Sequence, residues 1–220
     1  MLFRSVLGDN GILVFAGNQT LASGTIHFTG AGSLQLQPGT TLTLAPSAVI
    51  HGRSGVIGSG DFGQKKLINH GLISADVAGG TLTLAPTAFE NTGRVQAKNG
   101  GSVNVFGAAT VNSGSLVATG GGTLDISGSW KNPGIIQVTD STLNLGGAFT
   151  PADMGTILRT GGTVNLGGVL DLAGGTLTLD STTGSWGMTA GKFLNGTVRQ
   201  TLGPALLIHG RSGVIGGGNF

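Results

Sequence analysis

The words Thr81-Leu82-Thr83-Leu84, Ser102-Val103-Asn104-Val105, Thr123-Leu124-Asp125-Ile126, Thr142-Leu143-Asn144-Leu145 and Thr163-Val164-Asn165-Leu166 begin at intervals of 21, 21, 19 and 21 residues. A second word keeps step with the first. Asn69-His70-Gly71, Asn91-Thr92-Gly93, Asn112-Ser113-Gly114, Asn132-Pro133-Gly134 and Asp153-Met154-Gly155 open at intervals of 22, 21, 20 and 21. Two motifs locked in phase mark stacked units, each too small to bury its apolar face alone and completed by the next copy. The pattern predicts one all-β unit over residues 1–220, a right-handed parallel β-helix (β-solenoid) with about 21 residues per coil.

Side chains two apart on a strand share a face, so Leu82 with Leu84, Val103 with Val105, and their copies point inward. Thr83, Asn104, Asp125, Asn144 and Asn165 then form an outward polar row. A second strand repeats the inward pair as Ile73 with Ala75, Val95 with Ala97, Leu116 with Ala118 and Ile136 with Val138. Each unit reads as two strands. Arg159 breaks the second pattern, because a charge there would be buried, and an irregular coil is expected from Asp153 to Arg159. Stacked at about 4.8 Å, some ten coils would make a rod about 50 Å long. The Asn word reads as a turn whose Gly takes a positive φ and whose side chains, Asn69, Asn91, Asn112, Asn132 and Asp153, stack as a ladder along the axis.

Gly supplies 44 of 220 residues, Cys and Tyr are absent, and only 9% of residues are charged. Hydroxyls and amides must therefore provide most of the polar surface, which disfavours amphipathic helices and suits short strands joined by Gly-rich turns. The net charge is +2, and Lys65-Lys66 is the only adjacent basic pair, too little for a nucleic-acid footprint. Absent Cys excludes disulfides and thiolate metal sites. No signal peptide and no long apolar stretch is visible, so membrane insertion by this segment is not expected and any export signal lies outside it.

A larger repeat overlies the small one. His51-Gly52-Arg53-Ser54-Gly55-Val56-Ile57-Gly58 returns unchanged as His209-Gly210-Arg211-Ser212-Gly213-Val214-Ile215-Gly216, so that residues 51–62 and 209–220 are copies of one segment. The chain stops inside the second copy and reads as a middle piece of a longer array.

The runs Leu67-Ile68-Asn69-His70-Gly71-Leu72-Ile73-Ser74-Ala75-Asp76 and Arg159-Thr160-Gly161-Gly162-Thr163-Val164-Asn165-Leu166 resemble the repeats of bacterial autotransporter passengers and filamentous-haemagglutinin-like β-solenoid proteins. The resemblance covers residues 30–220. It implies an exported stalk or adhesive surface, extracellular or at the outer membrane, touching host or environmental glycans or surfaces by weak multivalent contact.

Little in the sequence points to catalysis, and no cofactor or metal site is expected. Gly58-Ser59-Gly60-Asp61-Phe62-Gly63 fits the dinucleotide fingerprint, but no helix follows to receive a phosphate. His51, Ser54 and Asp61 invite a hydrolase reading, against which the copying of the segment at His209 argues for a structural loop. A polysaccharide-binding or polysaccharide-degrading β-helix enzyme is the main alternative. It requires gathered carboxylates, whereas the nine acidic residues are scattered singly. An ice-binding solenoid is a lesser one, resting on Thr41-Thr43, Thr81-Thr83 and Thr176-Thr178, although other coils place Asn or Asp at the second position. Phe89, Trp130 and Phe149, just before the Asn words, read as fillers of a core corner rather than sugar platforms.

Overall fold

Every strand pairs in parallel with its own copy one coil away. Thr81–Leu84 lies in register with Ser102–Val105, which pairs with Thr123–Ile126, and the series continues through Thr142–Leu145 to Thr163–Leu166. The computed structural model describes residues 3–201 and the backbone of 209–210. Over that span the coils stack about 21 residues apart in a β-solenoid of about nine turns. At the usual inter-strand spacing this is a rod roughly 43 Å long. Of the copied segment at 209–220, only the short strand His209–Gly210 falls among the described residues, paired with Gly187 and Met188.

Each coil has three strands, not two. In the coil that opens at Thr81 they are Thr81–Leu84 on a first face, Ala88–Asn91 on a second and Arg94–Ala97 on a third. The second-face strand escaped the sequence reading for a physical reason. Its inward positions hold one aromatic and one amide, Phe89 and Asn91, so the apolar alternation that marks a half-buried strand stops after a single residue. Elsewhere the chain turns the corner without leaving strand geometry, as in Ser102–Asn112 and in the long strands Gln19–Leu36 and Thr41–Ser59.

Leu82, Leu84, Val103, Leu124, Leu143, Leu145 and Leu166 from the first face, and Ile73, Val95, Leu116 and Ile136 from the third, are buried in one continuous core. Complete burial of such a side chain stabilises by roughly 1.5–3 kcal/mol relative to exposure. Phe89, Trp130 and Phe149 close the core from the second face. Trp130 packs on Phe149 with ring centroids 4.7 Å apart, and its indole N–H donates to the Gly146 carbonyl at 2.9 Å.

Of the glycines in the second word, Gly71, Gly93, Gly114 and Gly134 do not adopt positive φ, and only Gly155, in the Asp153 copy, does (φ 56); elsewhere that conformation sits between the third and first faces, at Asn99, Gly100, Gly120, Gly121 and Asp140, and after the first face, at Gly128 and Gly147. What demands glycine after Asn is proximity. A Cβ on Gly93 would lie 2.3 Å from the Gly71 carbonyl oxygen, one on Gly114 as close to that of Gly93, and one on Gly134 as close to that of Gly114. At this bend, backbone packs on backbone from coil to coil.

The irregularity expected from Asp153 to Arg159 is confined to a one-turn helix, Pro151–Met154; Thr156–Thr160 is again a strand, paired with Ile135–Thr139. The break comes one coil later. Thr176–Leu179 on the third face pairs with Thr197–Gln200 and not with Thr156–Thr160, so the sheet divides there. Arg159 fills the seam, donating to the carbonyls of Gly161, Gly162, Thr183 and Ser185. Partial burial lowers its pKa from the usual arginine value, yet a guanidinium with four carbonyl acceptors stays charged. Asp180 orders the adjoining loop by accepting from the side chain of Thr182 and the backbone N–H groups of Thr183 and Thr182, which lowers its pKa from 3.8 to about 2.

Two outcomes are expected. Gly114→Ala should destabilise by about 3 kcal/mol, since backbone must move, and Gly121→Ala by only about 1–2 kcal/mol, since its surroundings are open and only the positive φ is strained; urea unfolding of both variants separates the effects. Because the folded protein favours the Asp180 carboxylate, the ordering it provides is complete above 3.8 and is lost as pH falls toward about 2. Amide exchange at Thr182 and Thr183 should accelerate over that interval, and Asp180→Ala should remove the pH dependence.

Candidate functional site

Two rows of amides run along the rod, one inside and one outside. The inner row is Asn69, Asn91, Asn112 and Asn132, all buried at the corner between the second and third faces. Asn69 Nδ2 donates to Asn91 Oδ1 at 2.7 Å, Asn91 to Asn112 at 2.6 Å, and Asn112 to Asn132 at 2.5 Å. The ladder ends where Asn132 Nδ2 donates to the Met154 carbonyl at 2.7 Å. A primary amide carries both a donor and an acceptor, so a stack of them satisfies itself in a core that water does not reach.

Asp153 stands outside this ladder, contrary to the sequence expectation. Its carboxylate has no N–H to pass on and would be costly to bury. It instead caps the one-turn helix, accepting from Thr150 N–H at 2.9 Å and the Thr150 hydroxyl at 2.7 Å, and Gly155 takes the close approach to Asn132.

The outer row lies on the first face, where Thr83, Asn104, Asp125, Asn144 and Asn165 fall in register. Asn165 Nδ2 donates to Asn144 Oδ1 at 2.8 Å, and Asn144 Nδ2 to Asp125 Oδ1 at 2.6 Å. Donation therefore runs backward along the chain and terminates on a carboxylate, a charge-assisted end that needs no donor of its own. Thr83 and Asn104 make no side-chain hydrogen bond among the described residues.

A neighbouring row was not read from the sequence. Two residues beyond Asn104 comes Phe106, in register with Ser127, and the equivalent positions in later coils are Gly146, Gly167 and Thr189, each following an in-register core residue. Where the row holds glycine the face is hollowed into a trough of about 370 Å³ between Asp125, Asn144 and Thr189. The available signal was the glycine after the last two first-face words, in Leu145-Gly146 and Leu166-Gly167.

Other sequence candidates are dispersed. His51 stacks on His27, centroids 4.4 Å apart, and its Nδ1 meets Asp76 Oδ2 at 3.2 Å, not Asp61. Ser54 Oγ accepts the Thr81 N–H at 3.2 Å. Gly58 to Gly63 leaves the end of a strand for a loop whose Phe62 is fully exposed, and Lys65 Nζ is held by the carbonyls of Gly60 and Asp61. Lys66 pairs with Glu90 at 2.7 Å. The three Thr-x-Thr words lie on three different faces: Thr41-Thr43 continues the second, Thr81-Thr83 the first, Thr176-Thr178 the third. They form no common array.

The three-stranded coils, stacked in register, define a parallel β-solenoid. No protein-family model, no curated protein and no solved structure matches the chain.

The two amide rows should respond differently to substitution. Asn91→Ala leaves the Asn112 acceptor unpaired in the core and the Asn69 amide with only its 3.3 Å donation to the Arg94 carbonyl, and a loss of about 3 kcal/mol is expected. Asn104→Ala on the outer row should stay within about 0.5 kcal/mol of the parent. Hydrogen exchange of the coils on either side of Asn91, compared between the variants, is the check.

Proposed function

We propose that this chain is a structural stalk or adhesive surface segment of a large exported bacterial protein of the autotransporter-passenger or filamentous-haemagglutinin-like kind. The observation that carries the reading is the straight column of outward residues, Thr83 to Asn165, held in register coil after coil by continuous parallel pairing. A rod built this way keeps its surface groups at a fixed spacing and presents them far from an anchoring point. Regularly spaced hydroxyls and amides gain little from each contact, so affinity grows with the number of contacts and copies.

The residues with acid–base potential support the same side. Asp125 accepts from an amide, Asp153 closes a helix cap and Asp76 faces His51, each in separate surroundings. The resemblance of the repeats to exported solenoids supports placement outside the cell.

The chain displayed at high density on beads should adhere to glycan-bearing surfaces or cells, while the free chain binds weakly; tight binding by the free chain alone would overturn the adhesive part. Antibody against the chain should label intact producing cells, and signal only after lysis would overturn the exported part. Incubation with pectin, alginate and chitin should release no reducing ends.

A further inference from the structure

We propose that the glycine-floored trough on the first face is a subsite for a pyranose ring of a neutral polysaccharide. The inference deepens the adhesive part of the proposed function and rests on it, replacing an undifferentiated surface with one place.

Gly167 is a glycine that the backbone does not require. Most glycines among the described residues are imposed by the backbone, through positive φ or through a neighbouring carbonyl that a Cβ would strike, as at Gly168, 2.2 Å from the Gly147 oxygen. Gly167 meets neither constraint. Its φ is not positive, and the nearest atom to a Cβ would be the hydroxyl of exposed Thr189 at 3.3 Å. A side chain would fit the fold there and would fill the trough. The floor is also held in place from beneath, because buried Trp130, packed on Phe149, donates to the Gly146 carbonyl at 2.9 Å. A preformed floor reduces the ordering cost of binding.

The groups around the floor fit a sugar. Asp125 uses Oδ1 for Asn144, while its Oδ2 has no hydrogen bond among the described residues and can accept from a sugar hydroxyl. The Thr189 hydroxyl, which donates to the Leu166 carbonyl at 3.2 Å, keeps its oxygen lone pairs as a second acceptor. In line with the floor, in register with Ser127, sits Phe106, 63% exposed. An exposed aromatic ring one coil before a trough edged by polar acceptors matches a pyranose, which has an apolar C–H face and a rim of hydroxyls. Charge sets the class. Asp125 is the only charged group of the trough, so a phosphate or uronate would be repelled and a neutral sugar accepted.

Titration of the isotope-labelled full chain with cellohexaose and chitohexaose, followed by amide NMR, tests this. Saturable shifts are expected at one site per chain, around Phe106, Ser127, Gly146, Gly167 and Thr189, with Kd on the order of 1 mM. Gly167→Val should abolish them and Phe106→Ala should weaken binding about tenfold. Phe106 is exposed, so its removal leaves the core untouched, and thermal unfolding of both variants verifies the fold. Asp125→Asn should newly admit an oligogalacturonate that the parent rejects. Shifts spread evenly over all coils and faces would overturn the subsite while leaving a distributed adhesive surface standing. Silence with both hexasaccharides, or binding unchanged in Gly167→Val, would also overturn it, whatever the bead adhesion assay shows.

Discussion

Parallel in-register pairing of each strand with its own copy one coil away is the constraint on which this structure depends. It places every residue about 4.8 Å from its counterparts above and below, so a residue type is admissible only if it tolerates its own kind as a neighbour. Leucine, valine and isoleucine do, and they build the core. Asparagine does, because the amide of one coil donates to the amide of the next. Backbone against backbone is tolerated where no Cβ intervenes, as at Gly93, Gly114 and Gly134. Repeated charges are not, which is the physical sense of a chain with so few charged residues.

The exceptions sit where the repeat is interrupted. Arg159 occupies the seam at which the third-face sheet divides, and its guanidinium ties the turn after its own strand to the loop of the next coil by gathering their carbonyls. Asp153 replaces an asparagine at the end of the inner ladder, and the fold answers with a one-turn helix that holds the carboxylate. Both substitutions convert a defect in the repeat into a local network, at the point where the coil geometry changes.

The same constraint shapes the surface. Outward residues are held in straight files, so neighbouring polar side chains either bond to one another, as Asn165, Asn144 and Asp125 do, or remain open to a ligand, as Thr83 and Asn104 do. Irregularity within a file is then informative. A file that passes from Phe106 through Ser127 to two glycines and a threonine changes the relief of an otherwise even face, and the trough lies at that change.

The sequence by itself determined the period, the solenoid class, the inward identity of the Leu and Val pairs and the alignment of Asn69, Asn91, Asn112 and Asn132, because stacking forces equivalent residues to recur at one spacing. The number of faces was not legible, since Phe89 and Asn91 disguise a strand whose inward amide finds its partner only in the next coil. Nor was the role of the glycines, where close carbonyl approach and positive φ leave the same letter in the sequence. Asp153 aligned with the ladder and yet left it, because a carboxylate lacks the donor that the next rung requires. The trough belongs to the tertiary structure: Asp125, Gly146, Gly167 and Thr189 come from successive coils, and only winding the chain about its axis brings them into one surface.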